Sequence, residues 1–401
     1  MVSTVTSYLD SRNRALPGEG FDGVVKVSSN GYYGTGVLLY NGQAVLTSAH
    51  LFSSSMSAVV QFETKTGPQT VNASRVSLHP AYDSLHLNND LALVWLSGSA
   101  PVAAERYELF RVGNEIDQRF TMVGYGVPAT GESGTSSSYS GETLRLKADN
   151  QFDADIGTLK SFLGAGMGWS PLAGTQLIAD FDDGSAARDA LGQLIYKAGY
   201  GLGPAEGLIT QGDSGGPAFI GKQVAGIASY VASLGRDALM PDPDNFTNGT
   251  FGEIAAWQRV SHYQSWIDKS LREAYENAPR SVDEVSLRVE EGDAGITLAY
   301  FLLQFTGVRN APGELLQVDY ATRDGTARAG EDYLATSGTL RLYENENHAV
   351  IAVEIIGDKT TEPDETFYLD VMNPVGGSFG AGVVKLSAMR TIVDDDGAMW
   401  G

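Results

Sequence analysis

Between residues 21 and 102 the chain alternates short apolar or β-branched runs with Gly, Asn and Ser: Val24-Val25-Lys26-Val27, Gly36-Val37-Leu38-Leu39-Tyr40, Ala44-Val45-Leu46 and Leu91-Ala92-Leu93-Val94-Trp95-Leu96. Short runs with that punctuation predict antiparallel strands. Two further runs, Thr121 to Gly126 and Val224 to Tyr230, are separated by a long Gly-, Ser- and Asp-rich stretch that reads as loop insertions. The period changes from Ser261 to Asn277, where Tyr263, Trp266, Ile267 and Leu271 share one helical face. Ser261 with Gln264 suits a capping box, and Pro279 stops the helix. After a linker at 277–281, strict alternation returns in Val285–Val289, Leu316–Tyr320, Leu340–Tyr343, Val350–Ile356 and Phe367–Val371, the pattern of a β-sandwich. The segments are therefore 1–20, an N-terminal stretch; 21–276, a first domain; 277–281, the linker; 282–396, a second domain; and 397–401, a tail.

Composition narrows the classes. A length of 401 residues exceeds what one core usually supports, and 42% hydrophobic with 19% charged content describes a globular chain. With 27 Lys and Arg against 49 Asp and Glu, the net charge of −22 offers no basic stripe to a nucleic acid or an anionic membrane surface. The absence of Cys removes disulfides, thiol nucleophiles and thiolate zinc sites, leaving oxygen-ligated cations as an added source of stability. No apolar run approaches the ~18 residues of a membrane span. The first twenty residues lack the apolar core of a signal peptide, so a signal for export is not visible.

The segment richest in chemistry is Gly212-Asp213-Ser214-Gly215-Gly216-Pro217. A serine hydroxyl attacks at neutral pH only when a base takes its proton and N–H groups hold the oxyanion, and flanking glycines permit that backbone approach. Upstream, Leu46-Thr47-Ser48-Ala49-His50 ends a β-branched run, and Asn88-Asn89-Asp90-Leu91-Ala92-Leu93 puts an acid before an apolar one. Singly, each is an ordinary strand-end or turn residue. Jointly, His50 suits the base for Ser214 and Asp90 the group that fixes its tautomer. His79, His86, His262 and His348 lack such flanks and read as structural.

With Gly34-Thr35-Gly36, TSAH at His50, His79-Pro80-Ala81-Tyr82-Asp83, NNDLAL at Asp90, GDSGGP at Ser214, Gly226 to Tyr230 and Arg259 to Ile267, the stretch from Phe21 to Glu273 resembles a trypsin-like (chymotrypsin-fold) serine protease of bacterial type. The resemblance implies an all-β architecture: a double β-barrel with a C-terminal helix, the His50, Asp90 and Ser214 triad in the cleft, and an immunoglobulin-like β-sandwich after it. It also implies an oxyanion hole from the Gly212 and Ser214 amides, Ser229 beside Asp90, and a substrate pocket of Leu208, Ser229, Tyr230, Val231 and Ala255. Leu208 at the base and Val231 on the wall favour small or medium aliphatic side chains; a two-position shift would instead put Glu206 in the pocket. No activation terminus is recognisable before Phe21, so residues 1–20 stand open as a propeptide.

Acidic residues cluster twice. Asp180 to Asp189 has several carboxylates around Gly184 and reads as a solvated loop in preference to a calcium loop. In the second domain, Gly330-Glu331-Asp332-Tyr333, Ile356 to Phe367 and Asp394-Asp395-Asp396 repel one another unless solvated or neutralised by a cation. With Asp319 to Ala327, these segments resemble a Calx-beta domain, which implies Ca²⁺ ligands among Glu291, Asp332, Asp358, Glu362, Glu365, Asp394, Asp395 and Asp396. Catalysis needs no cofactor in this reading. The expected protein is a secreted or cell-surface endopeptidase acting on protein or peptide substrates through an acyl-enzyme, with no nucleic acid and no membrane span. Its second domain would contact a cell surface or matrix. The alternative is an inactive protease-like adhesion or binding protein.

Overall fold

Six strands, Val24–Ser29, Tyr32–Leu38, Ala44–Thr47, Ala92–Leu96, Gly67–Leu78 and Val59–Thr64, pair in that order and close into a barrel. Alternation in the first strand turns Val25 and Val27 inward, where they meet Leu38, Val45, Val60, Phe62 and Val94. The computed structural model describes residues 2–135, 139, 141–309 and 314–396.

A second sheet runs Leu146–Gln151, Arg119–Gly124, Pro217–Ile220, Gln223–Ala232, Ile254–Arg259, Gln176–Asp180 and Ala154–Asp155. It is a curled half-barrel of seven strands, which beside the closed barrel gives the expected all-β architecture. Its core centres on Trp257, with Phe120 stacked on Phe152 at 4.0 Å and edge-on to Trp257 at 5.0 Å. A small third sheet pairs Ser3–Thr4 with Gly207–Leu208 and with Ala129–Thr130, and Val2 is fully buried in the core of the second sheet. Residues 2–15 thus contribute a strand and a core side chain. Arg145 ties the same segment down: its guanidinium donates to Ala15, Val24 and Glu63 carbonyls and pairs with Asp22 at 2.8 Å, both side chains sealed from solvent.

The stretch read as loop insertions contains four strands of the second sheet and, among the described residues, two α-helices, Ile156–Leu163 and Ala190–Ile195. The strand Leu146–Gln151 escapes an apolar scan because buried Asn150 sits in it; its amide donates to the Asp180 carbonyl at 2.7 Å and the Gly207 carbonyl at 2.9 Å. The first of the helices is capped by Asp155, whose Oδ1 accepts from Gly157 N at 2.8 Å. The long helix spans Val260–Glu273, already formed at Ser261, so the expected capping box does not exist. The Ser261 hydroxyl donates to Glu115, and Gln264 Nε2 donates to the Ser261 carbonyl. No helix among the described residues is long and apolar enough to cross a membrane.

The chain divides into two compact units, Met1–Trp266 and Ile267–Gly401. In the second, a five-stranded sheet (Arg288–Glu290, Lys385–Val393, Glu365–Val375, Leu316–Asp324, Ser337–Leu342) and a hairpin-like pair (Gly295–Gln304 with His348–Gly357) enclose Phe301, Val353, Ile355 and Phe367. Tyr333 stacks on Phe367 at 4.7 Å. The strand expected from Val285 begins at Arg288, because Val282–Glu284 forms a 3-10 turn closed by Val285 N on the Val282 carbonyl.

Candidate active site

His50 sits in the 3-10 turn Ala49–Phe52 that follows the barrel strand Ala44–Thr47. Asp90, fully buried, precedes the neighbouring strand Ala92–Leu96, which pairs with it. That pairing fixes their separation. Asp90 Oδ2 lies 2.7 Å from His50 Nδ1 and accepts from Ser229 Oγ at 2.6 Å, while Oδ1 accepts from His50 N at 2.8 Å. Ser229 reaches Asp90 from the other sheet because the register shifts between Ala228 and Tyr230, and such a bulge re-aims a side chain. Burial lowers the His50 pKa, but the charge and hydrogen bond of Asp90 outweigh it, and the net shift is upward from 6.5.

Ser214 lies on the tight loop before Pro217–Ile220. Thr35 clamps this loop: its N donates to the Ser214 carbonyl at 2.8 Å and its Oγ1 to the Gly212 carbonyl at 2.9 Å. A Cβ on Gly34 would fall 2.7 Å from the Ser214 carbonyl, and one on Gly215 would fall 2.9 Å from Ser48 N. The serine loop therefore packs directly on the TSAH segment that carries His50. In the sequence Gly34-Thr35-Gly36 is only a motif; the clamp explains why a small hydroxyl residue stands between two glycines.

The amides around the nucleophile divide into used and free. Asp213 N donates to the Thr210 carbonyl, Gly215 N to Ala228 and Gly216 N to Asp213. Gly212 N and Ser214 N, the two assigned to the oxyanion hole, donate to no protein acceptor among the described residues. Gly212 has φ of 96°, and a Cβ there would meet Gly126 Cα and Tyr33 Cε2 at 2.9 Å. Asp213 holds the loop from below, accepting from Gly126 N and Thr210 N at 2.8 Å each. Its burial pushes the carboxyl up to about 6 against the Thr210 hydrogen bond.

Beside Ser214 opens a cavity of about 210 Å³ lined by Ser229, Tyr230 and Val231 together with Ile209, Thr210, Gln211 and Glu253. Leu208 and Ala255 are fully buried in the core behind it. Glu206 turns the other way, accepting from Asp182 N at 2.9 Å and from Leu202 N at 2.5 Å. Glu253 was not singled out in the sequence. Its Oε1 accepts from Asn248, Gly249 and Thr250 amides, and its buried Oε2 has no hydrogen-bond partner among the described residues. The loop Asp180 to Asp189 also departs from expectation: Asp180, Asp182 and Asp189 are each only 4% exposed, because strand and helix bracket them.

In the second unit the ligand candidates gather in two groups. Glu291, Asp394 and Asp396 each bring one oxygen within 4.8 Å of the others, as do Asp332, Glu362 and Glu365. Asp358 and Asp395 stand beside the first group, and Asp395 accepts from Gly292 N at 3.1 Å. Burial, then Asp358 and Asp394, push Glu291 up to about 7; burial and Asp332 do the same to Glu365. Glu291 Oε1 and Asp396 Oδ2 are buried without a hydrogen-bond partner among the described residues. Orphaned oxygens at the centre of a carboxylate group are what a hard cation would satisfy, so these residues fit Ca²⁺.

Residues 12–167 match the Trypsin family model, a stretch that includes His50 and Asp90 and ends before Ser214, and residues 282–396 match that of the Calx-beta domain. Human sodium/calcium exchanger 2 is 38% identical over 204 residues, covering 44% of this chain and 21% of its own length. The Drosophila melanogaster sodium/calcium exchanger Calx is 38% identical over 81 residues, covering 20% and 8%. The chain thus spans about a fifth or less of these relatives. A solved mouse structure, neuropsin, a serine protease expressed in the limbic system of mouse brain, aligns at 16% identity over 65% of this chain and 98% of its own, with a TM-score of 0.46. The chain therefore carries a match to the Trypsin family over residues 12–167 and a match to the Calx-beta domain over residues 282–396.

Proposed function

We propose that the first unit is a serine endopeptidase working through His50, Asp90 and Ser214. His50 Nε2 takes the proton of Ser214 Oγ as that oxygen adds to the scissile carbonyl, and the Gly212 and Ser214 amides receive the oxyanion. His50 then gives the proton to the departing amine, leaving an acyl-enzyme that water, deprotonated in the same way, hydrolyses. The observation that carries this reading is the anchoring of His50 at both N and Nδ1 by one buried carboxylate, with two unused amides on the adjoining serine loop. Hydrolysis of a denatured protein substrate by the wild-type chain, and its loss in both Ser214→Ala and His50→Ala, tests it. Equal hydrolysis in the variants would refute it, and no hydrolysis in any chain would favour the inactive binding protein.

For specificity, Val231 narrowing the cavity supports small or medium aliphatic side chains. A second reading has its own support: the unpartnered Glu253 Oε2 at the same cavity would suit a basic side chain. Rates on alanyl, valyl and arginyl chromogenic peptides separate the two. The Calx-beta domain, in this proposal, takes Ca²⁺ on Glu291, Asp394 and Asp396 and on Asp332, Glu362 and Glu365, which would relieve the repulsion among them and stiffen the strand ends. Chelation that leaves its unfolding unchanged would remove that role. An endopeptidase of this kind, secreted or held at a cell surface, would meet protein substrates there.

A further inference from the structure

Apart from the triad, the first unit encloses a group of buried acids. Asp180 ends the strand Gln176–Asp180, Asp182 follows it, and Asp189 precedes the short helix Ala190–Ile195. One carboxylate oxygen from each lies within 4.8 Å of the other two. Some of their capacity is used: Asp180 Oδ2 accepts from Leu191 N at 2.6 Å, and Asp189 accepts from Gly192 N at 2.7 Å and Gly199 N at 3.3 Å. Asp182 Oδ1 is different. It is sealed from solvent and has no hydrogen-bond partner among the described residues, and Asp182 as a whole is only 4% exposed.

No Lys or Arg bonds any of the three among the described residues. Two more carboxylates add to the load, since Asp153 and Glu206 both stand close enough to raise Asp182. Three buried carboxylates with one orphaned oxygen cannot stay ionised without compensation. The compensation is either protons or a cation. Two oxygens on opposite sides of a Ca²⁺ ion, each about 2.4 Å away, are about 4.8 Å apart, so three oxygens lying within that limit of one another can share one ion.

We propose that Asp180, Asp182 and Asp189 hold a single Ca²⁺ ion inside the protease domain, with Asp182 Oδ1 as a direct ligand. The site is independent of the carboxylate groups in the Calx-beta domain and of whether Ser214 reacts. It is wired to the substrate cavity: Asp182 N donates to Glu206 Oε1, and Asn150 bridges the Asp180 and Gly207 carbonyls, so the ion would brace the segment that runs from Glu206 to the cavity-lining Ile209 and Thr210.

The test is calcium bound per full-length chain at saturation, measured by equilibrium dialysis with elemental analysis, in wild type, Asp182→Asn and the Calx-beta variant Glu291→Gln with Asp332→Asn. The proposal expects Asp182→Asn to bind one ion fewer than wild type, while the Calx-beta variant keeps that ion and still gains thermal stability from calcium. A protein that binds the same number of ions with and without Asp182, or a Calx-beta variant that binds none, overturns it. Asp182→Asn preserves shape and removes only charge; should it unfold, Asp189→Asn is counted for bound calcium in its place. The loss of one ion in that variant supports the site, and an unchanged count overturns it.

Discussion

Replacing Asp90 by Asn changes one atom in the candidate site and should disable it through the tautomer of His50. Asp90 accepts three hydrogen bonds, from His50 N, Ser229 Oγ and His50 Nδ1. An Asn offers only one acceptor oxygen, and the backbone amide of His50 and the Ser229 hydroxyl sit on opposite sides of the carboxylate. If the new NH₂ group faces His50 Nδ1, that nitrogen must accept, so the ring proton moves to Nε2 and the atom that should take the Ser214 proton is occupied. In a triad of this geometry the change lowers turnover by about 10⁴-fold, which is about 5.5 kcal/mol of transition-state stabilisation at ~1.36 kcal/mol per decade. The pH profile carries a second signature. Neutral His50 is the active form, and its folded pKa lies above 6.5 because Asp90 outweighs burial, so the wild-type rate should rise with pH through a limb above 6.5. Without the carboxylate, burial acts alone and the limb should move below 6.5. The assay is kcat/KM from pH 5 to 9 on a chromogenic peptide, with circular dichroism to confirm folding. A folded Asn variant within tenfold of wild type at pH 8 would refute the reasoning.

Other perturbations probe the neighbouring parts. Gly212→Ala forces a Cβ into Gly126 and Tyr33 at a φ of 96°, so it should cost about 1–3 kcal/mol in denaturant unfolding and abolish hydrolysis; full activity would contradict the assigned oxyanion geometry. Arg145→Met leaves Asp22 buried and unpaired, and urea titration should register a loss of about 3–5 kcal/mol. If Glu253 sets a basic preference, Glu253→Gln should lower the arginyl rate at least tenfold relative to the valyl rate; an unchanged ratio excludes it. In chelator the Calx-beta domain should melt at lower temperature as pH rises from 5 to 8. Glu291 and Glu365 have folded pKa values of about 7, above the ordinary 4.5, so the stability of their protonated forms is lost as they ionise. Calcium should cancel that slope, and a flat profile in chelator would contradict it.

What was legible in the sequence follows from local grammar. The first barrel could be read because its strands are short, apolar on one face and punctuated by Gly and Asn, as in Val24 to Val27 and Leu91 to Leu96. The nearness of His50 to Asp90 was legible from flanking motifs and is secured by the pairing of Ala44–Thr47 with Ala92–Leu96. The second sheet was half hidden, because strands such as Leu146–Gln151 bury an Asn that satisfies distant carbonyls, and polarity then ceases to mean exposure. The same failure concealed the acids at Asp180, Asp182 and Asp189: composition marks a loop as soluble, while only the tertiary bracket of strand and helix seals it. Glu253 had no motif at all, since its place at the cavity depends on the turn Asn248 to Thr250 folding over it.

The most direct measurement is intact-mass and peptide-mass analysis of the chain after exposure to a fluorophosphonate. The account predicts a single stoichiometric adduct on the peptide containing Ser214, formed faster as pH rises through the His50 limb and absent in Ser214→Ala. A folded wild-type chain that gains no adduct, or one whose adduct persists in Ser214→Ala, would contradict it.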